Sequence, residues 1–385
     1  MNLIEKIEKL NIKNLKNLSG KKVLLRIDVN VSLGENKTVD PGEDWRILQA
    51  LKTIEFLRDA GAIIIILAHI GREKDESLKP VFAYMNQYLN MGFLPHYSGE
   101  TVKNYILNMG KGSIVMMENL RQFDAEKEND ISFLQELIDL SDIYINDAFS
   151  VSHRKHASVH AITKYLPSYF GLQFIDEVKQ LNNFILHTEG MKTLILGGAK
   201  FGTKFKLLEK MLPQLDYVLM GGALANVFLK ARGFKIGKSF CDDIDISSMV
   251  DSNKIILPID YIDEHGDLAD IHDVADNTII LDLGPETTKL FETIISHSSA
   301  LMWNGPMGKY EDGYSEASIS IADSISHSDA FSITGGGDTS TVILENGLED
   351  NFSFISTGGG AMLDFLLDGT LVGIDIILEN KKEDI

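Results

Sequence analysis

With 385 residues and a formal net charge of −20, from 36 Lys and Arg against 56 Asp and Glu, the chain is too long for one ordinary core. It is also too acidic to hold a nucleic-acid backbone or an anionic bilayer unless its charge is segregated. The 44% hydrophobic and 24% charged residues exclude disorder as the main theme, and the single Cys241 excludes an intrachain disulfide or a cysteine-rich metal site and fits a reducing compartment.

Residues 1–18 alternate charge with Leu and Ile and lack the unbroken apolar core of a signal peptide. The longest apolar run, residues 62–68, falls far short of the roughly 20 residues a membrane helix needs. A cytoplasmic protein that engages neither membrane nor nucleic acid is expected. Short β-branched runs at 22–27, 62–67, 114–117 and 143–145 are each followed by a turn and a helical pattern, which predicts buried parallel strands in βαβ units. A helical segment near 170–186 follows. The rhythm then resumes at 193–196, 217–220, 254–257, 278–281, 300–303, 330–333 and 352–355. Two doubly wound α/β domains with parallel sheets, Rossmann-like and joined by that helix, are expected.

Charge and arginine are unevenly spread. Residues 1–170 hold 21 Lys and Arg against 22 Asp and Glu, whereas residues 171–385 hold 15 against 34. Six of the seven arginines (Arg26, Arg46, Arg58, Arg72, Arg121, Arg154) lie in the first stretch. Arg is the residue for bidentate contact with phosphate or carboxylate.

In open α/β sheets ligands bind beyond the carboxyl ends of strands. In the first half those ends carry Arg26-Ile27-Asp28-Val29-Asn30, Ala68-His69-Ile70-Gly71-Arg72, Glu118-Asn119-Leu120-Arg121, and Asn146-Asp147-Ala148-Phe149 running on to Arg154. Each supplies an Arg, and with His69 and Asn30 beside them they predict a pocket for a small polyanion bearing phosphate and carboxylate. Arg58, inside a helical pattern, reads as a surface residue. His153 and His156 have no third ligand in sequence and read as donors near the Arg cluster or as local structure, not as a metal site. His265 and His272 lie in a polar loop without a partner.

The second half is punctuated by glycine at its strand ends: Gly197-Gly198-Ala199-Lys200, Gly221-Gly222-Ala223, Asp282-Leu283-Gly284-Pro285, Asn304-Gly305-Pro306, Gly335-Gly336-Gly337-Asp338-Thr339 and Thr357-Gly358-Gly359-Gly360. Absent side chains let backbone N–H groups approach a phosphate, and a helix starting just after adds its positive end. Six such turns at one sheet edge predict a nucleotide site. Asp338 is either a helix cap or the carboxylate for a magnesium ion beside phosphate. Residues 233–239 imitate a P-loop but have three residues between the glycines where four are required, and no Gly-x-Gly-x-x-Gly fingerprint occurs.

The ordered series RIDVNV, AHIGR, ENLR, NDAFSVSHRKHAS, LGGAK, ILPID, DLGPET, WNGPMG, GGGDT and STGGGA, over about residues 21 to 373, closely resembles phosphoglycerate kinase. The resemblance implies two domains facing across a cleft: residues 1–169 for 3-phosphoglycerate or 1,3-bisphosphoglycerate, and 170–373 for Mg-ADP or Mg-ATP. The tail at about 374–385 would pack back on the first domain, and the protein would be a monomer. It implies reversible phosphoryl transfer from 1,3-bisphosphoglycerate to ADP, made in line once the cleft closes and excludes water. Carried over, Asp28, Asn30, Arg46, His69, Ile70, Gly71, Arg72, Arg121 and Arg154 look like the glycerate-phosphate site. Arg26 resembles the catalytic arginine, which binds the carboxyl group and the phosphoryl in flight. Lys200 resembles the lysine that stabilises the transferred group, and Lys204 the one that grips nucleotide phosphates. Gly197, Gly198, Gly284, Asn304, Gly336, Gly337 and Thr339 correspond to the nucleotide site, with Pro306 toward adenine, Glu311 toward ribose and Asp338 toward Mg2+. Backbone N–H groups of Gly358, Gly359 and Gly360 would meet the phosphoryl group.

The chain departs from the family pattern at Ser32, at Ala68, Ile70 and Glu73, at Phe201-Gly202-Thr203, at Lys309-Tyr310 and at Met362, none of which removes a charged catalytic group. A non-catalytic nucleotide-binding protein of the same fold is the alternative. It is opposed by the presence of Arg26, Lys200, Lys204 and Asp338. A kinase acting on another acyl phosphate should lack part of the Arg set.

Overall fold

A computed structural model of the protein describes residues 2–34, 36–39, 44–187, 189–199 and 201–380. The chain divides into two units, residues 1–179 with 368–385 and residues 180–367.

In the first unit a helix, α1 (Leu3–Lys9), precedes an alternation of strand and helix: β1 (Lys22–Ile27), α2 (Trp45–Asp59), β2 (Ile63–Leu67), α3 (Lys79–Met85), β3 (Met91–Leu94), α4 (Glu100–Leu107) and β4 (Ile114–Met117). The short helices α5 (Asp124–Lys127) and α6 (Gln135–Asp139) lead to β5 (Ile143–Asp147) and β6 (Ser168–Phe170), and α7 (Leu172–Leu186) continues into the second unit. The six strands pair in parallel in the order β3-β4-β2-β1-β5-β6. Every residue of β2, Ile-Ile-Ile-Ile-Leu, is buried, as befits a central strand covered on both faces. On one face, Ile47, Ala50, Ile54 and Leu57 recur at helical spacing along α2 and join Val23, Leu25, Ile64, Ile66 and Met116 in one core.

The second unit repeats the plan with β7 (Met191–Leu196), α8 (Gly202–Met211), β8 (Tyr217–Met220), α9 (Gly222–Ala231) and β9 (Ile255–Ile256). After an excursion through β10 (Asp260–Asp263), β11 (Leu268–Asp270) and β12 (Ile280–Leu283) come α10 (Pro285–His297), β13 (Ser298–Asn304), α11 (Glu316–Ser326), β14 (Phe331–Gly335), α12 (Gly337–Glu345), β15 (Phe354–Ser356) and α13 (Gly359–Asp368). The parallel order is β15-β14-β13-β7-β8-β9. Packed on it are Trp303, Phe291, Ile321 and Val342.

One expectation fails here. The run at 278–281 is not a strand of the parallel sheet. As β12 it joins β10 and β11 in a separate three-stranded antiparallel sheet. The first two residues of β12 are half-buried and only the last two fully buried, which is the signature of a sheet covered unevenly rather than one sandwiched between helices. So the turn at Gly284 does not share a sheet edge with the other five glycine turns. The last helix, α14 (Val372–Asn380), belongs to the first unit. Gly373 donates its N–H to the Ser152 carbonyl (2.8 Å), and the Asn380 amide donates to the Thr163 carbonyl and hydroxyl (2.9 Å each). Residues 381–385 of the expected tail lie outside the described residues.

Candidate functional site

In the first sheet the chain leaves β1 toward β2 and later leaves β5 toward β6, so the crossovers part company between β1 and β5. A crevice opens at the carboxyl ends of those two strands. Arg26, next to last in β1, enters it with only 1% of its surface exposed. Nε donates to Ser158 Oγ at 3.1 Å, Nη1 to the Ile27 carbonyl, and Nη2 to Nδ1 of His69 at 3.0 Å. A guanidinium has five N–H donors. Among the described residues three are held by the protein, leaving one on each Nη.

Because a guanidinium can only donate, His69 Nδ1 must accept, which places the imidazole proton on Nε2 and leaves the ring neutral. The electrostatics agree. Burial, then the charges of Arg26, Arg121 and Arg154, hold the His69 pKa well below its ordinary value. Burial and the same arginines, Arg121 foremost, push His156 down to about 3. Arg121 itself is shifted down, by desolvation first and then by Arg154 and Arg26, with Arg72 adding a further push and Glu126 opposing. These cations raise one another's cost, the condition of a site organised for an anion.

Asp28 accepts from the Asn30 N–H (3.0 Å), and its other oxygen, Oδ2, lies 3.7 Å from Arg46 Nη1 and has no hydrogen-bond partner among the described residues. Arg46 also donates to the Asn30 carbonyl at 3.1 Å, while the Asn30 side chain accepts from the Gly71 N–H at 2.7 Å. The loop after β2 is latched by Asn119, whose amide exchanges hydrogen bonds with both backbone groups of Ile70 and donates to the Glu76 carbonyl. Gly71 sits at φ +62°, and a Cβ there would fall 1.8 Å from the Glu76 carboxylate, which accepts from the N–H groups of Arg72 and Glu73. Only glycine fits. Arg154, at the surface, donates through Nε to His153 at 3.0 Å.

In the second unit the crossovers part between β7 and β13, and a cavity of about 620 Å³ opens beyond those strands. Gly198, Lys204, Gly222, Pro306, Glu311 and Asp338 line it, with an apolar sector that includes Leu229, Ile279, Ile280 and Phe240. Backbones touch here where side chains could not. Gly197 and Gly198 donate to the carbonyls of Asn304 and Pro306 (3.1 and 2.8 Å), and Gly222 donates to that of Met307 (2.7 Å). With φ +57°, Gly222 would carry a Cβ 2.6 Å from the Gly198 nitrogen. Lys204, buried in the first turn of α8, donates to the carbonyls of Gly197 (2.7 Å) and Asn304 (3.2 Å). Thr339 accepts the Gly305 N–H at 2.7 Å, and the Asn304 amide donates to the Gly335 carbonyl.

Gly336 and Gly337 open α12 and Gly359 opens α13, where a Cβ on Gly359 would lie 2.9 Å from Gly336 Cα. Two positive helix ends are thereby brought side by side. Gly360 stands in the first turn of α13, and Gly358, just before it, donates its N–H to Ser356 Oγ at 3.1 Å.

Gly284 has a different place. It is the cap residue of α10 and packs against Asp260, whose carboxylate accepts the N–H groups of Glu286 (2.9 Å) and Thr287 (2.8 Å). Lys200 lies outside the described residues. No group of three His, Cys, Asp or Glu among the described residues could hold a metal unaided. One carboxylate, Asp338, at a cavity with this backbone suits a Mg2+ that keeps its waters and arrives on nucleotide phosphates.

Sequence reasoning missed Glu126 and Ser158 behind Arg26, Asn119 and Glu76 behind Gly71, and Phe240 at the apolar side of the cavity. Of these only Asn119 and Ser158 stood in motifs already singled out, and neither was given a task there.

A family model described as phosphoglycerate kinase matches residues 12–369. The chain is 40% identical over 385 residues to the phosphoglycerate kinase of Wolbachia pipientis subsp. Culex pipiens (strain wPip), covering 93% of this chain and 96% of that protein. It is 36% identical over 404 residues to that of Thermosipho africanus (strain TCF52B), covering 98% and 99%. Among solved structures, the phosphoglycerate kinase of Coxiella burnetii is similar with a TM-score of 0.81 and 31% identity over 96% of this chain and 99% of that one. That of Pyrococcus horikoshii OT3 gives 0.85 and 26% over 98% and 100%.

Proposed function

The chain belongs to the phosphoglycerate kinase family, and from that premise we propose that it transfers a phosphoryl group reversibly between 1,3-bisphosphoglycerate and ADP, giving 3-phosphoglycerate and ATP, in the cytoplasm. The observation that carries this reading is the cation cluster of the first unit, where burial and then the charges of Arg26, Arg121 and Arg154 hold the pKa values of both His69 and His156 down. A site that refuses further positive charge is one that awaits an anion.

The acceptor, a carboxylate, is already ionised and needs no general base. Catalysis is then positioning and charge stabilisation. The two N–H groups of Arg26 that the protein does not hold are the pair a carboxyl or phosphoryl oxygen would take. His69 offers Nε2–H as a neutral donor, and Arg46, Arg72, Arg121 and Arg154 supply charge for the phosphate of the three-carbon ligand. Asp28, Asn30, Ile70 and Gly71 hold that site in shape. In the second unit Lys204, the backbone of Gly336 and Gly337, and the N–H groups at Gly359 and Gly360 are assigned to nucleotide phosphates and the phosphoryl in flight, whereas Gly197, Gly198 and Gly358, whose N–H groups are held by the Asn304 carbonyl, the Pro306 carbonyl and Ser356 Oγ, shape the turns instead of donating. Asn304 and Thr339 brace them, Pro306 and Glu311 face adenine and ribose, and Gly284 acts through the placement of α10. Lys200 keeps the role its motif implies. Mg2+, met by Asp338, would offset charge on the phosphate oxygens.

A coupled assay with 3-phosphoglycerate and Mg-ATP beside other carboxylates tests the reaction: turnover is expected with 3-phosphoglycerate, and its absence would reject the reading. Arg26→Ala should lower kcat by about a hundredfold or more, the scale of a lost transition-state charge contact.

A further inference from the structure

Behind Arg26 stands a polar chain that touches no ligand site directly. Ser158 Oγ accepts from Arg26 Nε (3.1 Å) and has a single proton, which it gives to Glu126 Oε1 at 2.6 Å. The second carboxylate oxygen accepts the Ser158 N–H at 2.9 Å. Ser158 is fully buried and Glu126 is 2% exposed. Glu126 is also the carboxylate that opposes the depression of the Arg121 pKa.

We propose that the Glu126–Ser158 pair is a positioning device for Arg26, which supplies the buried guanidinium with negative charge through a hydroxyl so that its outer N–H groups stay free for substrate. The chemistry favours an indirect arrangement. A carboxylate placed directly against a guanidinium forms a bidentate pair and consumes the fork that a ligand carboxyl or phosphoryl group needs. With no counter-charge at all, a buried guanidinium is costly. The intervening hydroxyl resolves both demands, because it accepts at Nε alone. Nε is fixed by Ser158, Nη1 by the Ile27 carbonyl and Nη2 by His69, so the plane of the group is set before any ligand arrives. Preorganisation of this kind acts on the chemical step more than on ground-state binding.

The inference rests on the role given to Arg26 above, and a double-mutant cycle separates the two. Ser158→Ala should lower kcat about tenfold while the KM for 3-phosphoglycerate moves less than about threefold, the lesser part of the loss expected for Arg26 itself. In the Arg26→Ala background the same change should have no further effect on kcat. Tyr144→Phe is the control for loosening of the segment, since Tyr144 donates to the Ser158 carbonyl at 2.6 Å. It should keep kcat within about twofold. Glu126→Gln, nearly isosteric, should reproduce the kcat loss and answers the question if Ser158→Ala does not fold. A Ser158→Ala effect that persists undiminished in the Arg26→Ala background, or wild-type kcat in Ser158→Ala and Glu126→Gln while Arg26→Ala is slow, would overturn the inference. Wild-type kcat in Arg26→Ala would overturn the role of Arg26 and this inference with it.

Discussion

His69 is a side chain whose protonation the first unit resists. Its folded pKa is depressed by burial and by Arg26, Arg121 and Arg154. Above pH about 6.5 the ring is neutral in folded and unfolded chains alike. As pH falls through that value, the unfolded chain takes a proton that the folded site refuses, so stability is lost toward acid. Asp147 works in the opposite sense: burial pushes its pKa up to about 7, so the folded chain binds a proton first and gains stability as pH falls below that point. The wild-type curve mixes these two with His156, which acts in the sense of His69, and Asp282, which burial also raises to about 7, and the difference between variants isolates one. His69→Gln should gain stability relative to wild type below pH about 6.5, with a limiting slope of about 1.4 kcal/mol per pH unit, read by urea unfolding on either side of that value. Parallel pH profiles would refute it. At this scale the sequence announced the arginines and His69 because they stand in motifs at strand ends. It hid Glu126, which sits in the run Asp124-Ala125-Glu126-Lys127-Glu128 and reads there as solvated charge. Only the packing of α5 buries it.

Helix α10 shows what an element needs beyond its own residues. Its cap residue is Gly284, which has no side chain to satisfy the first N–H groups. Asp260, the first residue of β10, does so from outside, accepting from the N–H groups of Glu286 and Thr287 and from the Thr287 hydroxyl (2.5 Å). Asp260→Ala removes a cap, worth up to about 2 kcal/mol, while the Thr287 hydroxyl keeps the residue-260 carbonyl as an acceptor (3.2 Å) and still accepts from the N–H groups of Ile259 and residue 260. A loss of about 2 kcal/mol in urea unfolding of the whole chain is expected, and a loss under about 0.5 kcal/mol would show that water replaces the carboxylate at the helix start. The motif ILPID was visible in the sequence, yet its purpose was not, since the helix it caps starts at Pro285, far along the chain from Asp260. Strands β1, β2, β4, β7, β8 and β13 were legible because short runs of Val, Ile, Leu and Met buried on both faces have few other uses. By contrast β3 (Met-Gly-Phe-Leu) and β6 (Ser-Tyr-Phe) are short and mixed, and β10 and β11 are polar, so neither composition nor period marks them. The run at 278–281 misled because β-branched and aliphatic residues look alike in a parallel and an antiparallel sheet until a partner is known.

The net charge of −20 and the cation cluster of the first unit make opposite claims about how the protein receives an anion. If the total charge governed, added salt would screen repulsion and tighten binding of 3-phosphoglycerate. If the cluster governs, salt screens attraction and weakens it. Range decides between them. At physiological ionic strength the Debye length is about 8 Å, so a ligand seated among Arg26, Arg121 and Arg154 feels chiefly the charges it touches, and the summed charge of the chain is screened. The pKa shifts show the cluster at work locally, because after burial the largest depressing causes on His69 and His156 are the charges of those three arginines. The Kd for 3-phosphoglycerate, measured by isothermal titration, should therefore rise by about threefold or more between roughly 0.15 and roughly 0.5 M KCl, where the Debye length falls toward the 3 Å or so of 1 M salt. Arg121→Gln should flatten that dependence, since it removes one charge of the cluster and leaves the net charge of the chain almost unchanged. Binding that tightens with salt, or a slope that Arg121→Gln leaves intact, would mean that the field of the whole acidic molecule outweighs its arginines.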